Sequence, residues 1–143
     1  VKLVDANVLL YAVNESADRH DEARSWLDDA LSGREAIGLS WLVLLAFLRL
    51  STRVGLFPTP LTVDAANATM RDWLSAPPSV VVDPTARHAA ILSGLLTSVG
   101  TGGNLVSDAH LAALALEHHA TIVTYDNDFG RFSGVAWGSP SAG

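Results

Sequence analysis

Four aspartates stand where the surrounding sequence is otherwise apolar. Asp5 closes the opening VKLVD, Asp108 opens the run DAHLAALAL, and Asp126 and Asp128 follow directly on ATIVTY. Carboxylates held within a few ångströms of one another cannot all stay ionised without a counter-charge, so protons or a cation must join them. Oxygen donors suit Mg²⁺ or Mn²⁺, which retain waters and take phosphate oxygens as further ligands. A pair of such ions can clamp the attacking and leaving oxygens of a displacement at phosphorus. If the four aspartates meet, the chemistry they suit is phosphodiester hydrolysis. Each also has a plainer reading. Asp108 is a favourable charge in the first turn of a helix, worth about 0.3–1 kcal/mol. Asp5 and Asp126 are strand-end turn residues, and Asp128 can bond its own loop.

Whether they meet depends on the elements that carry them. Lys2–Asp5 reads as a strand, and Asn7 starts a short helix reaching about Ala12. From Asp18 or Asp21 to Leu31, Ala23, Trp26, Leu27, Ala30 and Leu31 recur at helical spacing, with Gly33 as a stop. Ser40 caps an apolar helix over roughly 41–52, and Thr62 starts another that ends at APP. SVVVD is a strand, and the stretch from Pro84 to Gly100 is a helix with the proline in its first turn. Ser107 or Asp108 begins a helix to about His119, ATIVTY is a strand, and VAW is a short edge strand. Strands alternating with helices predict an α/β fold with a mostly parallel sheet covered on both faces. Such sheets bind ligands beyond the carboxyl ends of their strands. Asp5 and Asp126 lie at two such ends, and a helix amino end carrying Asp108 commonly points to the same edge.

The composition limits the alternatives. At 143 residues the chain fits one domain, 1–143, able to bury about 70% of its unfolded surface. With 49% hydrophobic and 17% charged residues it is globular. The absence of cysteine excludes disulfides, Cys-ligated zinc, iron–sulfur clusters and thiol chemistry. Asp5 and Asn7 interrupt the first apolar run where a signal peptide needs it unbroken, and WLVLLAFL is too short to cross a bilayer. The expectation is a soluble, cytoplasmic protein. A net charge of −6 argues against a module that holds nucleic acid by general phosphate neutralisation. Contact with nucleic acid would have to be local, through arginines, metal ions or a partner chain.

Several neighbours can serve the acidic site. Asn7 can steady the Asp5 carboxylate or a metal-bound water, or cap its helix; Thr124 can orient Asp126, or be buried simply as a strand former. Arg49 and Arg131 can fork onto a substrate phosphate or pair with surplus aspartates, and pairing is the expected role of Arg49 without substrate. No two histidines are spaced i, i+4, so the five histidines read as surface or half-buried groups. Trp26, Trp41, Trp73 and Trp137 read as packing residues.

The segments LVDANVLLYA, FLRL and SDAHLAALALEHHATIVTYDNDF closely resemble, in order and separation, the PIN-domain ribonucleases, in particular the VapC toxins of bacterial toxin–antitoxin pairs. The resemblance implies a three-layer α/β/α PIN-like fold. It makes Asp5, Asp108, Asp126 and Asp128 the catalytic carboxylates, with Asp5, Asp108 and Asp126 on the metal. It implies Mg²⁺- or Mn²⁺-dependent endonucleolytic cleavage of RNA, usually tRNA or ribosomal RNA, by a homodimer silenced by a small VapB-like antitoxin. One position departs from the pattern. The family usually carries a glutamate three residues before the arginine of the middle helix, and here Ala46 precedes Arg49. Glu117 is a poor replacement, more than ~10 Å from Asp108 along its own helix. Ala46 thus keeps open a PIN-fold binding protein that is catalytically weak or silent. VDANV is also superficially similar to the DxDx(T/V) opening of haloacid-dehalogenase-like phosphatases. Against that, Asn7 replaces the acid/base aspartate and Lys2 is the sole lysine.

Overall fold

The computed structural model describes residues 1–142. Its centre is a five-stranded parallel sheet of β1 (Lys2–Val4), β2 (Ile37–Leu39), β3 (Ser79–Val81), β4 (Thr121–Val123) and β5 (Trp137–Gly138), in the order β3-β2-β1-β4-β5. Six helices connect them: α1 (Ala6–Val13), α2 (His20–Leu31), α3 (Trp41–Ser51), α4 (Val63–Ser75), α5 (His88–Val99) and α6 (Val106–Glu117). The strand order steps outward from β1 to β3 and then returns past β1 to β4. Right-handed crossovers therefore put α1–α4 on one face and α5–α6 on the other. The packing agrees, since α1 contacts α2 and α3, α3 contacts α4, and α5 contacts α6. This is the three-layer α/β/α arrangement of the PIN-like expectation.

Placement of the acidic residues follows from the middle of the sheet. β1 has neighbours on both sides and its Leu3 and Val4 are fully buried, as parallel strands covered on both faces must be. Its core partners include Ile122, Leu44, Phe47, Leu114 and Phe129. β1 and β4 pair with Leu3 opposite Ile122 and Val4 opposite Val123, so the residues that follow, Asp5 and Thr124, emerge side by side.

The structure corrects the sequence reading at several points. β2 is a strand that the sequence did not announce. It is three residues long and fully buried, and Gly38 at its centre lowers its strand signal. The glycine is there for space: a Cβ would stand 2.8 Å from Val82 Cγ2 and 3.2 Å from Leu3 Cδ1. Asp5, not Asn7, caps α1, its Oδ1 accepting from Ala6 N at 2.7 Å. α5 begins at His88 rather than at Pro84, because the backbone N–H of Thr85 is drawn to the Glu117 carboxylate. α6 begins at Val106, after a 3-10 turn over Gly103–Leu105. Trp73 is buried against Phe47, as packing predicts, but Trp41 is 44% exposed. Ser40 and Thr62 cap α3 and α4 as expected.

Candidate metal centre

Thr124 ties the two ends of the chain together. This fully buried hydroxyl donates to Asp5 Oδ2 at 2.8 Å and accepts from the Asp126 backbone N–H and from Asn7 Nδ2, both at 3.0 Å. It therefore orients the Asp5 carboxylate and the Asp126 main chain, rather than the Asp126 carboxylate expected from sequence. Asn7 completes the bracket. Its Oδ1 accepts from Tyr125 N at 3.1 Å, and its Nδ2 also reaches Asp5 Oδ2 at 3.4 Å. Burial pushes the Asp5 carboxyl up, bonds from Thr124 and Ala6 offset part of that, and nearby Asp126 adds to the rise.

Beyond β4 the chain turns sharply. Asp126 Oδ1 accepts from Asp128 N at 2.9 Å and so caps a 3-10 turn over Asn127–Arg131. The turn brings both carboxylates to Asp108 in the first turn of α6. One carboxylate oxygen from each of Asp108, Asp126 and Asp128 can be chosen so that all three lie within 4.8 Å of one another. Asp5 stands beside this trio rather than within it, near enough that its charge is felt by Asp108. The Asp108 carboxyl is pushed up to about 6, first by burial and then by the negative charges of Asp126, Asp5 and Asp128. Such a concentration of oxygen donors and unbalanced charge fits a hard divalent cation.

A cleft of about 340 Å³ opens beside the trio, lined by Asp5, Ala46, Arg49, Ser107 and Asp108 together with Leu42 and Leu45. Ala46 therefore faces the same space as two of the aspartates and offers no donor to it. Arg49 is exposed and, among the described residues, has no carboxylate within 4.0 Å, which corrects the pairing expected for it. Arg131 does pair, its Nε lying 3.5 Å from Asp128 Oδ1.

A second polar cluster is built around Glu117 at the far end of α6 from Asp108. Glu117, 6% exposed, accepts from Thr85 N at 2.8 Å and Thr85 Oγ1 at 2.6 Å through one oxygen. Its other oxygen is 2.5 Å from His88 Nδ1, and His88 Nε2 is 2.9 Å from His110 Nδ1. Burial pushes the Glu117 carboxyl up, but bonds from Thr85 and His88 outweigh it and leave the group below its ordinary value. Burial and neighbouring His88 lower His110, against a smaller opposing pull from Glu117. The only hint in the sequence was a glutamate ending an otherwise apolar helix, LAALALE.

The PIN-domain family model matches residues 2–135, and that span holds the whole acidic bracket from Asp5 to Asp128. The chain belongs to the PIN-domain family. Within the family it is of the VapC type: it is 61% identical over 142 residues, 99% of each chain, to Ribonuclease VapC37 of Mycobacterium tuberculosis. It is 38% identical over 136 residues, 95% of each chain, to Ribonuclease VapC33 of the same species. The fold is shared with VapBC2 from Rickettsia felis bound to a promoter DNA fragment, at a TM-score of 0.73 and 20% identity over 96% of this chain and 97% of that one. It is shared too with Mycobacterium tuberculosis VapC20, a sarcin–ricin loop cleaving toxin, at 0.68 and 21% over 95% and 99%. The PIN assignment leaves the phosphatase resemblance without support. Asn7 spends its amide on Asp5, Thr124 and Tyr125, and Lys2 sits in β1 one residue into the chain, at the strand end away from Asp5. No helix is long and apolar enough to cross a membrane among the described residues.

Proposed function

We propose that this PIN-domain chain is a Mg²⁺- or Mn²⁺-dependent endoribonuclease, the toxin of a VapBC-type pair, hydrolysing phosphodiester bonds in tRNA or ribosomal RNA. One observation carries the reading: Asp108, Asp126 and Asp128 converge within 4.8 Å, beside Asp5, at the carboxyl edge of the sheet. The relatives named ribonucleases support it, as does the sarcin–ricin loop cleaving activity of a structural neighbour.

In this reading Asp108, Asp126 and Asp128 hold the ion, with Asp5 completing its surroundings. A divalent cation there supplies charge neutralisation for the phosphate and a more acidic water. The chain does the rest. Thr124 and Asn7 fix Asp5 in one orientation, so its carboxylate does not need to reorganise during the reaction. Asp126 holds the turn that presents Asp128. Arg49, which has no carboxylate partner among the described residues, donates from the cleft beside Asp108 to a phosphate oxygen, and Arg131 tempers the charge of Asp128. Below pH 6 Asp108 takes up a proton and the donor set weakens.

A second reading rests on Ala46. With a methyl group where the cleft would otherwise receive a carboxylate, the ion is held weakly, and the chain acts as a slow nuclease or as a silent PIN-fold binding protein. The exposed Leu42 and Leu45 of α3 line that cleft and support docking of a VapB-like antitoxin or a second copy in a homodimer there. Both readings place the protein in the cytoplasm with its RNA.

Incubation of the purified chain with total tRNA and ribosomal RNA tests the proposal. Discrete fragments should form with Mn²⁺ and disappear with chelator and in Asp126→Asn. Calorimetric Mn²⁺ binding without cleavage selects the silent reading.

A further inference from the structure

On the side of β4 away from the α3 cleft lies a second cleft of about 370 Å³, lined by Asp18, Arg19, Glu22, Thr124, Tyr125, Asn127, Ser139 and Ser141. Its floor is Tyr125, placed between Thr124, which bonds Asp5, and Asp126. Three residues hold the ring. It packs edge-on against Tyr11 of α1, with centroids 5.4 Å apart, and its hydroxyl donates to Glu22 Oε1 at 2.8 Å. Across its face lies Arg19, with Cζ 4.6 Å from the ring centroid. A guanidinium stacked in this way is held in orientation while its N–H edge stays available. Asp18 adjoins Arg19 and Glu22 is three residues on, yet Arg19 has no carboxylate within 4.0 Å among the described residues. Glu22 is turned to the Tyr125 hydroxyl instead.

The acidic centre is thus flanked by two clefts, and each holds one arginine without a carboxylate partner among the described residues, Arg49 on the α3 side and Arg19 on the Tyr125 side. In a chain of net charge −6, a polyanion crossing the centre needs local cationic holds on both flanks. We propose that the Tyr125 cleft is a subsite for a backbone phosphate of the RNA strand next to the bond that is cut, with Arg19 as its ligand. This rests on the ribonuclease reading above. The planar fork of Arg19 matches two phosphate oxygens, and the Asn127 amide and the Ser139 and Ser141 hydroxyls line the same space for the attached nucleotide. Asp18 and Glu22, the two carboxylates that line the same cleft, oppose the phosphate and set how tightly it is held.

The test is steady-state cleavage of total tRNA by the full chain at several salt concentrations, comparing Arg19→Ala, Arg19→Lys, Asp18→Asn and, as a control on α4, Arg71→Ala. Arg19→Ala should raise KM about fivefold to tenfold with kcat unchanged. It should also flatten the slope of log(kcat/KM) against log[salt] by about 0.7, the value of one lost phosphate contact on a single strand. Arg19→Lys should recover part of the KM, Asp18→Asn should lower it, and Arg71→Ala should change neither KM nor slope. Unchanged KM and slope in Arg19→Ala, while the parent cleaves tRNA, overturns the subsite and leaves the nuclease reading intact. Loss of antitoxin neutralisation in Arg19→Ala with unchanged KM assigns the cleft to the protein partner and also overturns it. A parent chain that cleaves no RNA removes the nuclease reading, and the subsite with it.

Discussion

Thr124 and Asp5 are 119 positions apart in sequence and 2.8 Å apart in space, joined by one fully buried hydroxyl that also receives Asn7 and the Asp126 main chain. Thr124→Val keeps the shape and removes the oxygen. Three polar groups then lose a partner, at a cost of about 1–3 kcal/mol. The expected outcome is a lower thermal midpoint and weaker Mn²⁺ binding by calorimetry, with Thr124→Ser close to the parent in both. A Thr124→Val protein as stable as the parent would show that the hydroxyl organises nothing.

Asp108 gives a pH dependence of definite sign. Its carboxyl is raised from 3.8 to about 6, so between those values the folded chain binds more protons than the unfolded one. Stability without metal should therefore fall as pH rises from about 4 to 6, and Asp108→Asn should remove that decline and raise the midpoint at pH 7.5. Mg²⁺ or Mn²⁺ should restore stability to the parent at pH 7.5 and do little at pH 5, where Asp108 is protonated, and chelator should reverse the gain. Thermal scans across pH 4–8, with and without metal, read all of these.

Glu117 has the opposite sign. Its carboxyl sits below its ordinary 4.5, so the stability it contributes is present above that value and is lost as pH falls through its folded value. Glu117→Gln keeps the size but not the charge-assisted bonds to Thr85 and His88, and should cost about 1.5–3 kcal/mol at pH 7 in urea denaturation. The difference between variant and parent should shrink as pH falls below 4.5. RNA cleavage per folded molecule should be unchanged, because Glu117 stands at the opposite end of α6 from Asp108.

Ala46 invites a gain of function. Ala46→Glu would aim a carboxylate into the cleft it shares with Asp5 and Asp108. Added negative charge should destabilise the metal-free chain and tighten Mn²⁺ binding by about tenfold, with faster cleavage if the parent is limited by weak ion binding. Unchanged Mn²⁺ affinity would show that position 46 lies outside the reach of the ion.

The sequence exposed what depends on local pattern and hid what depends on pairing. Asp5, Asp108, Asp126 and Asp128 were legible because carboxylates at the ends of buried runs violate the local hydrophobic pattern, and because their strands alternate with helices. β2 escaped because three residues around a glycine carry almost no periodicity, and its glycine answers to Val82 and Leu3, which are distant in sequence. The start of α5 is hidden for the same kind of reason: Pro84 looks like a helix opening, but Thr85 is bound by Glu117, 32 residues away. Arg49 reads as a pairing residue yet has no carboxylate partner among the described residues, while Tyr125 reads as a strand residue because Arg19, Glu22 and Tyr11, which surround it, are distant in sequence.

The register that sets Val4 beside Val123 also has a consequence for synthesis. β1 is synthesised well before β4, the strand that covers one of its edges, because each paired residue of β4 lies more than a hundred positions further along the chain. Until residues 121–128 emerge, Asp5 has neither the hydroxyl that orients it nor the carboxylates that adjoin it. A translation product interrupted before residue 121 therefore carries no assembled centre.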